Sequence, residues 1–252
     1  MSVVRIAVVY PDLLGTYGDG GNGEILVQRL LWRGIEAELL EAVSSEPLPE
    51  AELYCLGGGE DGPQVLAASR LIQDGRLRRA HRDGAVVFAV CAGFQIIGNS
   101  FPDASGALHE GLGLLDIETR KGSGPRAVGE VAVEVTKQSD GGLGLPIISG
   151  FENHGGVTAL ASGVTPLGTV LSGIGNGAGD GSEGAIGERV VGTYLHGPVL
   201  ARNPALADHL LAEATLRAPL SPLDDHAEEE LRRDRLRRLG LASDLSGTDP
   251  TP

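Results

Sequence analysis

Three short apolar runs in the first ninety residues constrain this chain more than any other feature. They are VVRIAVVY (3–10), ELYCL (52–56) and AVVFAV (85–90). Each is rich in apolar residues with no alternating polar positions, the pattern of a strand buried on both faces of a parallel sheet. A helical pattern separates them: EILVQRLLWRG after the first, with Gly34 at the C′ position, and residues 63–82 after the second. EAELLE reads as a further strand, SSEPLPEA as a connector, and AGFQIIG as the start of a helix after the third run. Strand and helix alternate, so the fold class expected is α/β: an open, mostly parallel sheet flanked by helices.

The second half reads differently. GLLDIETR, VGEVAVEVTK, PIISGF, TPLGTVL and GERVVGTYLHG follow one another with few helices between them. They are expected to extend the sheet and add antiparallel strands around a glycine-rich loop, SGIGNGAGDGSEG. NPALADHLLAEATLR then reads as a helix with Asn203 as N-cap. After Pro222, DDHAEEELRRDRLRRLG has the Glu-to-Arg spacings of a surface helix, and the final ASDLSGTDPTP is expected to fray.

Charge and composition exclude several functions. With 34 acidic and 20 basic residues the formal net charge is −14, which opposes nucleic-acid binding driven by phosphate neutralisation. Two cysteines, Cys55 and Cys91, do not make a disulfide framework in 252 residues. The opening MSVVRIAVVYPD lacks the pattern of a signal peptide, and no apolar stretch is long enough to span a bilayer. A soluble cytoplasmic protein is expected. No Walker P-loop occurs. Neither a His-x-x-x-His nor a paired-cysteine metal motif is present.

One cysteine stands where chemistry is common. In AVCAGFQ the strand runs into Cys91, then two small residues, then a helix, the context of a nucleophile elbow. The same pattern also suits a buried structural cysteine. Cys55, inside LYCLG, is assigned to the core. A nucleophilic thiol needs a base. Of six histidines, His196 in TYLHGP stands at a strand end and is the first choice; His154 in the turn-like FENHGG is the second. The loop GGGEDG (57–62) follows another strand end, and its N–H groups, with that of Ala92, suit an oxyanion hole.

These motifs in this order resemble the class I glutamine amidotransferases: a glycine loop (GGGEDG), a C-x-G-x-Q elbow (Cys91 to Gln95) and a late histidine (YLHGP). The last form is similar to the cobyric-acid-synthase branch. YPDLLGTYGDGGN, RAVGE and GFENHGG further resemble the GatD family, the glutaminase subunit of lipid II isoglutaminyl synthase, over about residues 3–215. The resemblance implies an amidotransferase domain over 1–220, with 221–252 as charged helix and tail. It implies Cys91 as nucleophile, His196 as proton carrier, and Gly58, Gly59 and Ala92 as oxyanion donors. Arg126 is implied as the holder of the glutamine α-carboxylate, and the Gln95 amide one turn past Cys91 as a pocket residue. It further implies ammonia delivery to a Mur-ligase-like, ATP-dependent partner, MurT in that family, acting at the inner face of the cytoplasmic membrane, and hence that this chain itself holds no ATP, metal or other cofactor. The alternatives are a subunit serving a cobyrinate-type synthetase and a γ-glutamyl hydrolase on the same fold. Many class I enzymes place a Glu two residues after the histidine. Here that position is Pro198, so the carboxylate orienting His196 is expected from Glu152 or, preferably, from the partner.

Overall fold

The computed structural model describes residues 3–216 and 219–241. The first half forms β1 (Val4–Val9), α1 (Gly21–Trp32), β2 (Ala37–Ala42), β3 (Leu53–Leu56), α2 (Asp61–Asp74), α3 (Arg76–Arg82), β4 (Val86–Val90) and α4 (Ala92–Ile97). The region 63–82, expected as one helix, is two. Gly75 adopts φ +66° between them and ends α2 in a left-handed turn that a side chain would strain.

Then come β5 (Ser100–Pro102), β6 (Leu108–Glu110), β7 (Ile117–Lys121), β8 (Ala127–Val135), β9 (Ile148–His154), β10 (Gly156–Leu160), β11 (Gly168–Ser172), β12 (Ser182–Glu183), β13 (Ala185–Gly187) and β14 (Val190–Thr193). Three helices follow: α5 (Val199–Arg202), α6 (Pro204–Thr215) and α7 (His226–Arg238).

The central sheet has the order β13-β14-β4-β3-β1-β2. It is parallel except for the edge strand β13, which runs against β14. The α/β class and its parallel core therefore stand as expected. The late strands only partly extend this sheet. β13 and β14 join it, while the others build two separate four-stranded sheets, β10-β7-β5-β6 and β12-β11-β8-β9. The core strands explain the pattern: every residue of β3, β4 and β14 is buried, so no polar face is available along them.

Asn203 occupies the position before α6, but its side chain does not cap the helix. Its Oδ1 accepts from the Ser149 N–H, and its Nδ2 donates to the carbonyls of Ser149 and Val199. It therefore ties β9 to the segment that carries His196 into α5. The charged α7 is fixed by burial of Leu236 and by Arg232 donating to the Ile147 carbonyl. Arg29 on α1, itself buried, donates to both Asp208 and Asp225, which joins α1 to α6 and to the start of α7. No helix among the described residues is long and apolar enough to cross a membrane. The expected frayed tail, 242–252, lies outside the described residues.

Candidate active site

Parallel α/β sheets bind ligands outside the carboxyl ends of their strands. Here the carboxyl ends of β3, β4 and β14 deliver the glycine loop, Cys91 and His196 into one cavity of about 400 Å3. Gln64, Gln95, Arg126, Asn153 and Tyr17 also line it. A larger depression of about 830 Å3 lies at the opposite, amino ends of the strands. It is lined by Arg5, Arg79 and Arg189 among others, and contains no cysteine or histidine. Catalytic chemistry is therefore placed in the smaller cavity.

Cys91 sits at φ 52°, ψ −103°, a strained conformation for a residue with a side chain. Its N–H donates to the Thr193 carbonyl at 2.8 Å, so the turn is anchored to β14 while the thiol faces the cavity. The residues after the thiol shape the elbow. A Cβ at Gly93 would lie 2.7 Å from the Leu56 side chain and 2.8 Å from its carbonyl oxygen, so only glycine lets α4 start this close to β3. Cys55, by contrast, is in β3, and burial pushes its thiol well above the ordinary range.

His196 follows β14 and is held by a two-way bridge with Phe151 of β9: each N–H donates to the other's carbonyl. The ring is buried. Its Nδ1 bonds the Asp19 carboxylate Oδ2 at 2.8 Å, while Nε2 has no partner among the described residues. Burial alone pulls the imidazole down. The Asp19 carboxylate and the neighbouring Cys91 sulfur outweigh it and push His196 up to about 10. Thiol, imidazole and carboxylate thus form a Cys–His–Asp series, with the free nitrogen left for the cysteine side.

The carboxylate comes from neither source expected from sequence. Glu152 accepts from the N–H groups of Ile174 and Gly175 at 2.8 and 2.9 Å, and so buttresses the glycine-rich loop instead of reaching His196. Asp19, 177 positions before the histidine, takes the place within this chain. The same Oδ2 accepts from the Gly58 N–H at 2.9 Å.

That bond corrects one donor assignment. The N–H of Gly58 is spent on Asp19 and is not free for an oxyanion. The N–H groups of Gly59 and Ala92, which have no partner among the described residues, remain at the cavity wall. Gly58 serves the histidine instead. A Cβ there would meet His196 Cε1 at 2.7 Å, so glycine makes room for the ring.

His154, the second-choice base, is also corrected. It ends β9 instead of standing in a turn, stacks on Tyr194 at 3.7 Å, and shares a 3.0 Å hydrogen bond through Nδ1 with the Gly156 carbonyl. Burial pulls it down to about 4, so it is neutral at physiological pH and is not paired with Cys91. Gln95 lines the cavity, but its amide is engaged: Oε1 accepts from Gln64 Nε2 at 2.9 Å and Nε2 donates to the Tyr194 hydroxyl at 3.2 Å. Arg126 stands exposed at the rim, just before β8. Asp19, Tyr17, Gln64 and Asn153 are site residues that sequence reading missed. Of these, Asp19 and Tyr17 lie inside the motif TYGDGGN, whose Asp-Gly pair also reads as a turn.

Comparison with known proteins identifies the family. Residues 5–204 match the model of the CobB/CobQ-like glutamine amidotransferase domain. A solved glutamine amidotransferase shares the fold at a TM-score of 0.59 and 22% identity, over 83% of this chain and 98% of that one. The lipid II isoglutaminyl synthase subunit GatD of Staphylococcus aureus is 35% identical over 88% of this chain and 89% of its own length. The subunit of the same name from Streptococcus pneumoniae is 32% identical over 84% and 80%. A cobyric acid synthase of Limosilactobacillus reuteri is 31% identical over 73% of this chain, which spans only 36% of that protein. The fold is that of a class I glutamine amidotransferase. Within that class, the chain belongs to the CobB/CobQ-like family and, inside it, to the GatD family.

Proposed function

We propose that this chain is the glutamine-hydrolysing subunit of a lipid II isoglutaminyl synthase. The observation that carries the reading is the meeting of Cys91, His196 and Asp19 in one cavity, in a chain that matches GatD over nearly the whole length of both proteins. The GatD subunits match at 35% and 32% identity over 88% and 84% of this chain, the cobyric acid synthase at 31% over 73%, which favours the GatD reading over a cobyrinate-type one.

The chemistry follows from the geometry. The Cys91 thiolate attacks the side-chain amide carbon of glutamine, and the oxyanion formed is met by the N–H groups of Gly59 and Ala92. The His196 imidazolium gives its proton to the departing nitrogen; the C–N bond breaks, ammonia leaves and the glutamyl group remains on Cys91 as a thioester. Neutral His196 then takes a proton from water as water attacks the thioester. The C–S bond breaks, glutamate leaves, and the Cys91 thiolate is restored beside the His196 imidazolium. Asp19 fixes the tautomer and supports the imidazolium throughout. Arg126 grips the α-carboxylate of glutamine. No step calls on a metal or cofactor held by this chain. Ammonia passes to a Mur-ligase-like, ATP-dependent partner of the MurT kind. The partner amidates the D-glutamate α-carboxylate of the lipid II stem peptide to D-isoglutamine at the inner face of the cytoplasmic membrane.

A glutamine-analogue alkylator followed by peptide mapping tests the site. The expected result is one adduct, on Cys91, formed together with loss of glutamine hydrolysis and prevented by excess glutamine. An adduct on Cys55, or hydrolysis that survives full labelling of Cys91, would overturn the assignment.

A further inference from the structure

The site contains a hydrogen-bonded unit, Arg126–Asn153–Tyr17, whose last two members have no role in the hydrolysis scheme. Arg126 does not float at the rim. Its Nε donates to Asn153 Oδ1 at 3.1 Å and its Nη2 to the Asn153 backbone carbonyl at 3.0 Å. One residue thereby occupies the side-on edge of the guanidinium through two acceptors. The other edge, between Nη1 and Nη2, has no protein partner among the described residues, and Arg126 lines the cavity. Planar two-point recognition needs a guanidinium whose orientation is already set.

The same side chain faces the other way as well. Asn153 Nδ2 donates to the Tyr17 hydroxyl. Tyr17 lies with its ring centroid 4.8 Å from that of His196, tilted by 56°. It adopts φ 61°, a conformation costly for a tyrosine, and the adjoining Thr16 N–H is tied to the Gly58 carbonyl at 3.2 Å. The strained residue is therefore held from both sides, by the glycine loop and by Asn153, over the imidazole.

We infer that Asn153 is the positioning residue of the glutamine site. It presents the free edge of Arg126 to the α-carboxylate and links that clamp to the aromatic cover of His196. The inference rests on the glutamine reading above. It assigns to Asn153 no contact with the reacting atoms; it acts through Arg126 and Tyr17. The register supports a built arrangement: β8 and β9 pair with Val128 opposite Asn153, which brings the Arg126 stem beside the Asn153 backbone.

Steady-state glutamine hydrolysis by the full chain separates this role from a merely structural one. Asn153→Ala removes one of the two acceptors and is expected to raise KM for glutamine about tenfold, with a smaller fall in kcat. Asn153→Asp retains both acceptors for Arg126 and is expected to return KM to within about threefold of the wild type. Tyr17→Phe cuts the link but leaves the ring; it should raise KM more weakly, and adding it to Asn153→Ala should have no further effect. An unchanged KM in Asn153→Ala, an Asp variant as impaired as the Ala variant, or multiplicative effects in the double variant would overturn the inference. Absence of glutamine hydrolysis in the wild-type chain and its complex would instead refute the functional reading, so the two failures are distinct.

Discussion

Asp19→Asn isolates the contribution of the one carboxylate among the described residues that bonds the imidazole. The substitution preserves shape and leaves an oxygen able to accept from either Gly58 N–H or His196 Nδ1, but it removes a negative charge 2.8 Å from the ring. His196 stands at about 10 against an ordinary 6.5, a preference for the charged ring of roughly 5 kcal/mol at 1.36 kcal/mol per unit. Burial opposes the rise; Asp19 and Cys91 share it. Losing a charge-assisted hydrogen bond costs about 1.5–3 kcal/mol, so glutamine hydrolysis falls roughly ten- to hundredfold in kcat. The direction of the pH effect is also fixed. A raised imidazole keeps its proton to high pH, so removing the cause of the rise moves the alkaline limb of the kcat profile to lower pH. The same protonation stabilises the fold: the contribution is complete below the unfolded value of about 6.5 and is lost as pH rises through the folded one. The assay is steady-state glutamate release from pH 5 to 10, with Glu152→Gln as comparison. A variant within twofold of the wild type at every pH, or an equal loss in Glu152→Gln accompanied by the same limb shift, would refute the assignment of Asp19.

Two further predictions rest on contacts already described. Gly58→Ala places a methyl group 2.7 Å from His196 Cε1, so the ring must move; kcat should fall by about a hundredfold or more while Cys91 remains accessible to a small alkylating agent, and an active Ala variant would show that the ring position is not critical. Glu183 is fully buried and desolvation pushes it up to about 8, against 4.5 for an exposed carboxyl. An acid raised in this way favours the fold below pH 4.5, and this contribution is lost progressively as pH rises towards 8. Glu183→Gln mimics the neutral form, so its denaturation midpoint relative to wild type should improve between pH 5 and pH 8 by the equivalent of a few kcal/mol; a difference independent of pH would contradict a protonated Glu183.

Local pattern made much of the centre legible. β1, β3 and β4 are contiguous apolar runs, and the elbow is a single stretch in which strand, cysteine, small residues and helix follow one another. His196 was identifiable because a strand and a Gly-Pro pair mark its position. The features that sequence did not reveal depend on distance. Asp19 meets His196 across 177 positions, and its own surroundings, rich in glycine, look like a turn. Glu152 was expected to approach His196 within this chain, yet period two along β9 buries it with His154, and its carboxylate accepts from N–H groups of the glycine-rich loop. Gly58 looked like an oxyanion donor by position in the loop, but the direction of one N–H is set by a partner from another element. The late strands were visible one at a time; their division into separate sheets follows from pairings that no short pattern encodes.

The central claim is that this chain generates ammonia at Cys91 for use elsewhere. Its most direct test is lipid II amidation by the complex of the Cys91→Ala chain with its synthetase partner, measured once with glutamine and once with ammonium as nitrogen source. The account predicts that glutamine-dependent amidation is abolished and ammonium-dependent amidation is retained. Loss of both activities in a complex that still assembles, or retention of the glutamine-dependent one, would contradict it.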